Sequence, residues 1–169
     1  MRTDRRFPLL ASKIKTVEQL KKITARLKSE GRRIVFTNGC FDILHYGHVK
    51  YLQDARRKGD ALIVALNSDA SVRRIKGDKR PLVNQKDRAR IIASLASVDF
   101  VTLFNEDTPL KVIQALKPSI LVKGADWKKN TIVGKDIVTR YGGKVTTITF
   151  VKNYSTTNLI RKIAETFSE

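Results

Sequence analysis

Apolar and polar positions along the chain alternate between a helical period and short, nearly continuous apolar runs. Val17, Leu20, Ile23 and Leu27 recur at helical spacing behind Thr16, with Gly31 beyond, and predict a helix from 16 to about 29. RIVFT closes a strand over 33–37, and HVKYLQDARRKG continues as an amphipathic helix over 46–58 that stops at Gly59. ALIVALN, 61–67, is apolar almost throughout, as a strand buried on both faces should be. Residues 68–81 are polar and predict no regular element. Asn84, with Asp87 three residues on, opens a helix carrying Arg88, Ile91, Ile92 and Leu95.

The second half repeats the alternation. DFVTLF (99–104) is a strand, and TPLKVIQALKP is a short helix with Pro109 near its start and Pro118 after its end. SILVKG (119–124) is the fourth strand. A helix is expected from about 134 to 141, a turn and fifth strand in GGKVTTITF, and a terminal helix in YSTTNLIRKIAETF. Residues 1–12 look irregular, so a mobile lead-in over 1–15 is expected ahead of one domain over 16–169. Strands alternate with helices and no hairpin dipeptide joins two strands. That pattern predicts an α/β fold with an open, parallel, five-stranded sheet.

Composition changes this picture little until charge is counted. A length of 169 residues suits one domain. No apolar run is long enough to span a bilayer, and the basic N-terminus lacks a sustained apolar stretch, so neither membrane nor secretion is expected. Cys40 is the only cysteine, which rules out an internal disulfide and suits the reducing cytoplasm. The formal charge of +18 has three readings: nucleic-acid binding, attraction of small polyanions such as nucleotides and sugar phosphates, or solvated basic faces. The basic residues are spread along the chain. There is no basic tail, no aromatic-basic RNA signature and no paired Cys/His finger spacing.

Four polar clusters fall at the carboxyl ends of predicted strands: TNG, NSD, KGADW and KNYSTT. In open α/β sheets such ends form the ligand crevice. Both the GxxxxGK[ST] loop and the GxGxxG fingerprint are absent, so phosphate binding must rest on other residues. TNGCFDILHYGH, 37–48, holds both histidines of the chain. At the start of a helix, an i, i+3 spacing puts His45 and His48 on one side of the first turn, beside outward-pointing N–H groups. Taken alone, the pair also suits structural hydrogen bonds or a zinc site, though a third zinc ligand is not apparent.

GCFDILHYGH resembles the GxFDxxHxGH signature of the HxGH-motif nucleotidyltransferases. With NSDASVRRIKG, RP, LVKGADW and YSTTNLIRKI, residues 16 to 167 look like one subfamily, the heptose 1-phosphate adenylyltransferase domain of ADP-heptose synthesis for lipopolysaccharide. The resemblance implies a Rossmann-like sheet with helices on both faces. It also implies AMP transfer from ATP, with Mg²⁺, to D-glycero-β-D-manno-heptose 1-phosphate. The catalytic residues it implies are His45, His48 and Lys76, with Lys79 and Arg80 near enough to leave the lysine's role open. Thr37, Asn38, Gly39, Cys40, Phe41, Gly47, Lys123, Gly124, Tyr154, Ser155, Thr156 and Thr157 are expected at the nucleotide. Phe41 and Cys40 are expected to act chiefly in packing.

For the acceptor, the resemblance implies Asp42, Arg88, Asp126 and Trp127, although Asp42 also suits a loop-capping role and Arg88 an ion pair. Related chains read IS[ST][ST] where this one has Tyr154, with a basic residue upstream that Lys152 stands in for. No sugar-kinase region accompanies the motifs, so a stand-alone form is expected, and a homodimer by analogy with relatives. A glycerol-3-phosphate cytidylyltransferase or an FMN adenylyltransferase is the near alternative. A non-catalytic nucleic-acid binder is the distant one. It leaves the paired histidines and YSTT unexplained, so nucleic acid is not the expected partner.

Overall fold

A computed structural model describes residues 10–125, 132–149, 151 and 154–167. The elements are α1 (Leu10–Lys13), α2 (Val17–Ser29), β1 (Ile34–Gly39), α3 (Tyr46–Arg56), β2 (Ala61–Asn67), α4 (Asp69–Lys76) and α5 (Gln85–Ser94). They continue with β3 (Phe100–Phe104), α6 (Leu110–Leu116), β4 (Ile120–Gly124), α7 (Lys135–Arg140), β5 (Lys144–Ile148) and α8 (Thr156–Phe167). Five strands form one sheet in the order β3-β2-β1-β4-β5, and every pairing is parallel.

Alternate side chains of the strands feed two cores. Val35, Leu62, Val64, Leu66 and Val122 pack with Tyr51, Leu52 and Ala55 of α3 and Ala89, Ile92 and Ala93 of α5. Ile34, Phe36, Ala61, Ile63, Ala65 and Leu121 pack on the other face with α2, α6 and α7. The continuous apolar run of β2 is explained by this arrangement, since all seven of its residues are buried. The strand order reverses between β1 and β4, and their carboxyl ends open the crevice that such a switch creates.

Local chemistry sets the element ends. Thr16 and Gln19 form a reciprocal capping box at α2. Asn84 accepts from the N–H groups of Lys86 and Asp87 to start α5. Two expectations need correction. The polar stretch after β2 contains α4, capped by Ser68 accepting from the Ser71 N–H, with Val72 buried beneath its arginines. Three basic residues in one turn hid that helix in the sequence.

Residues 10–15 are not irregular either. They form one helical turn, Ile14 bridges in parallel to Val101, and the Lys13 ammonium donates to the Leu95 and Val98 carbonyls at 3.2 and 2.8 Å. Among the described residues no helix is long and apolar enough to cross a membrane.

Candidate active site

The turn from β1 into α3 carries the motif. Phe41 adopts a left-handed backbone (φ 45°), costly for an aromatic residue, and its ring is buried at the loop's root. A side chain on Gly39 would meet that ring at 2.9 Å, so the glycine is required for the ring to fold back. His45 precedes the first residue of α3 and His48 follows three positions on. Their rings stack with centroids 3.7 Å apart and planes 18° from parallel, and Phe41 meets His48 edge-on at 5.0 Å.

Burial pushes the His45 imidazole below its ordinary value. Burial and the neighbouring His45 push His48 down to about 4, against a hydrogen bond with the Ile43 backbone. Both rings are therefore neutral near pH 7. The buried Nδ1 atoms of both, and Asn38 Oδ1, have no hydrogen-bond partner among the described residues. Buried polar atoms are normally paired, so three such orphans around one β1–α3 turn point to a ligand there.

Gly47 lies between the histidines. A side chain there would come within 2.8 Å of Tyr154 Cβ and 3.1 Å of His45 Nδ1. What comes close to the glycine is Tyr154, and with it the start of α8. Ser155 caps that helix, accepting from the Asn158 N–H at 3.2 Å, while Thr156 and Thr157 line the cleft.

The cleft is about 500 Å³, within the usual range for a small-ligand site. Its walls hold Asn38, Gly39, Cys40, Phe41, His48, Lys76, Lys123, Thr156 and Thr157 from the expected set. Gly124 lines an adjoining recess of about 140 Å³ with Tyr51 and Lys123. Burial pushes the Cys40 thiol above its ordinary value, which suits a wall residue and not a nucleophile. A wider, shallower hollow of about 810 Å³ lies between the starts of α4 and α5, and none of the expected site residues lines it.

His45, Gly47, Tyr154 and Ser155 stand at the starts of α3 and α8 without lining the cleft, and three further expected residues are committed to other partners. Thr37 is fully buried, with its hydroxyl 2.7 Å from that of Tyr51, so it braces β1 against α3 instead of lining the cleft. Arg88 does not reach an acceptor position. Its side chain has no exposure, and its guanidinium donates to the carbonyls of Val83, Cys40 and Asn67 and to Asp69 Oδ1. Asp42 borders the cleft, but both carboxylate oxygens are occupied. They accept from Arg80 Nε at 2.6 Å and from the Leu82 and Val83 N–H groups at 2.9–3.0 Å. Burial opposes its ionisation, yet the Val83 and Leu82 N–H groups and the Arg80 guanidinium outweigh burial and hold the carboxyl below the usual range.

Asp126, Trp127 and Lys152 lie outside the described residues. The structure adds Asn67, Ile75, Arg80, Asp107, Thr108, Pro109 and Val133 to the cleft wall. The polar run NEDTP after β3 was the sequence signal for three of these, being another cluster at a strand's carboxyl end.

A parallel sheet with this switch point, a cleft lined by His48 of a stacked HxGH pair, and a hydroxyl-rich helix start on the same cleft define a nucleotidyltransferase. A family model described as cytidylyltransferase-like matches residues 36–162, and the protein belongs to that family. It is 58% identical over 158 residues to the Bifunctional protein HldE of Trichlorobacter lovleyi, covering 94% of this chain and 32% of that protein. The protein of the same name from Geobacter metallireducens is 54% identical over the same length. This chain thus spans about a third of these curated relatives.

Among solved structures, the lipopolysaccharide core biosynthesis protein of Thermoplasma volcanium is 31% identical. It covers 74% of this chain and all of that one, with a TM-score of 0.60. A pantoate-β-alanine ligase of Francisella tularensis, 19% identical with a TM-score of 0.59 over 90% of this chain and 77% of that one, shares the fold.

Proposed function

We propose that this chain transfers AMP from ATP to D-glycero-β-D-manno-heptose 1-phosphate, forming ADP-heptose and pyrophosphate for the lipopolysaccharide core. The observation that carries the proposal is the single cleft bordered by His48, Lys76, Lys123 and the start of α8, beneath a histidine pair with orphaned ring nitrogens. The sugar is supported by the motif-by-motif resemblance to heptose 1-phosphate adenylyltransferases. The similarity to HldE proteins and to a protein titled for lipopolysaccharide core biosynthesis points the same way.

In this reading a phosphate oxygen of the sugar 1-phosphate attacks the α-phosphorus of ATP in line. The bond from that phosphorus to the bridging oxygen breaks, and its electron pair leaves with pyrophosphate. Negative charge builds on oxygens alone, so positioned donors are the protein's main contribution. His45 and His48 donate to the triphosphate, Lys76 adds a point charge, and the Thr156 and Thr157 hydroxyls and helix N–H groups take terminal phosphate oxygens. ATP enters as its Mg²⁺ complex. Among the described residues no group of three His, Cys, Asp or Glu stands ready to hold an ion, so phosphate oxygens and water are its expected ligands. The expected setting is the cytoplasm, whose reducing conditions the lone Cys40 suits.

The test is to incubate the protein with each nucleoside triphosphate and a panel of phosphate acceptors, and to follow pyrophosphate. Release with ATP and the heptose 1-phosphate is expected. Release with CTP alone would overturn the reading.

A further inference from the structure

We propose that Arg80 grips a phosphate group of a substrate in the cleft, and that Asp42 is the residue that positions it. The inference rests on the transferase reading of the cleft and adds a residue pair to it.

The geometry is that of an arginine held at one end. Asp42 accepts a hydrogen bond from Arg80 Nε at 2.6 Å while its own side chain keeps 1% exposure, and two backbone N–H groups fix that carboxylate in turn. The guanidinium plane is therefore set by a rigid acceptor. Its two terminal amino groups meet no acceptor among the described residues, and Arg80 borders the cleft along with Lys76. A planar fork with both prongs unspent matches the oxygens of a phosphate.

Arg88 provides the contrast within the same loop network. Its guanidinium is spent on three carbonyls and a carboxylate at zero exposure, which is what a structural arginine looks like here. Arg80 keeps 20% side-chain exposure and, among the described residues, spends one nitrogen. The motif aspartate, placed five residues after Thr37 in the HxGH loop, thus reaches across to the 77–83 segment and aims a cation. It does not touch the acceptor itself. The phosphate has two possible sources, the nucleotide and the sugar phosphate, and the chemistry of the grip is the same for both.

Calorimetric titration with ATP and, separately, with heptose 1-phosphate tells the sources apart. Arg80→Ala is expected to weaken one ligand by about tenfold or more while the other changes little. Asp42→Asn keeps an oxygen for the Leu82 and Val83 N–H groups and should weaken the same ligand by a smaller factor. Arg80→Lys restores charge without the fork and should recover part of the loss. If Arg80→Ala does not fold, Arg80→Gln decides the same question.

Unchanged binding of both ligands overturns the proposal. So does an equal loss of both with a fallen melting temperature, which would make the pair a structural tie. Inorganic pyrophosphate is the third probe. If neither ATP nor the sugar phosphate binds the parent protein, the transferase reading fails, and Arg80 is judged by whether its loss abolishes pyrophosphate binding.

Discussion

His48 sits in the first turn of α3, where burial disfavours its charged form, and this makes it a source of pH dependence. Its folded value of about 4 lies below the ordinary 6.5. Below the ordinary value the unfolded chain takes up a proton that the folded chain refuses, so stability falls as pH drops through that window. The loss amounts to about 3 kcal/mol between the two values. His48→Gln should flatten that slope, read as urea midpoints at neutral and mildly acidic pH. A slope unchanged in the variant would mean the titration belongs to another group. His45→Ala should lower kcat by about a hundredfold or more, as loss of an oxyanion donor does, with the melting temperature nearly unchanged because the ring packs on the loop and not in the core.

Single residues connect whole elements in this fold. Arg88 ties α5 to the ends of β1 and β2 and to the first turn of α4. Arg88→Met would leave three carbonyls and a carboxylate without their donor, and is expected to cost about 3–5 kcal/mol in urea denaturation. Gly47 sets how close α8 comes to α3. Alanine there gains about 1 kcal/mol of helix propensity but drives a carbon into the base of Tyr154, so weaker ATP binding is expected from a chain that still folds. α8 is thinly supported, for none of its residues is buried and Ile163 and Phe167 are exposed. Its amides should exchange faster than those of α3, and ATP should slow the ones at its start. Equal protection of the two helices would contradict this.

At the scale of the whole molecule, charge and topology act together. The sheet order places the cleft where β1 and β4 diverge, and a net charge of +18 surrounds it with a field that attracts polyanions. kcat/KM for ATP is therefore expected to fall as salt rises from low to physiological strength, with kcat itself little changed. Salt-independent kcat/KM would show that the charge serves another purpose. Some arginines are neutralised locally by carboxylates, such as Arg56 by Asp99 at 2.8 Å and Arg74 by Asp107 at 2.7 Å, so the field comes from the excess of basic residues over acidic ones.

Much of this was written locally. The seven buried residues of β2, the Thr16 and Asn84 caps, and the histidines three apart at a helix start are patterns of neighbours, so the sequence alone determined the strand-helix alternation and the motif loop. The helix α4 escaped because its buried residues are one serine and one valine, Ser71 and Val72, beside two arginines and a lysine. The partners of Thr37, Asp42, Arg80 and Arg88 were decided only by the tertiary structure. A polar side chain's partner can lie forty residues away, and whether it faces ligand or carbonyl depends on which segments the fold brings against it.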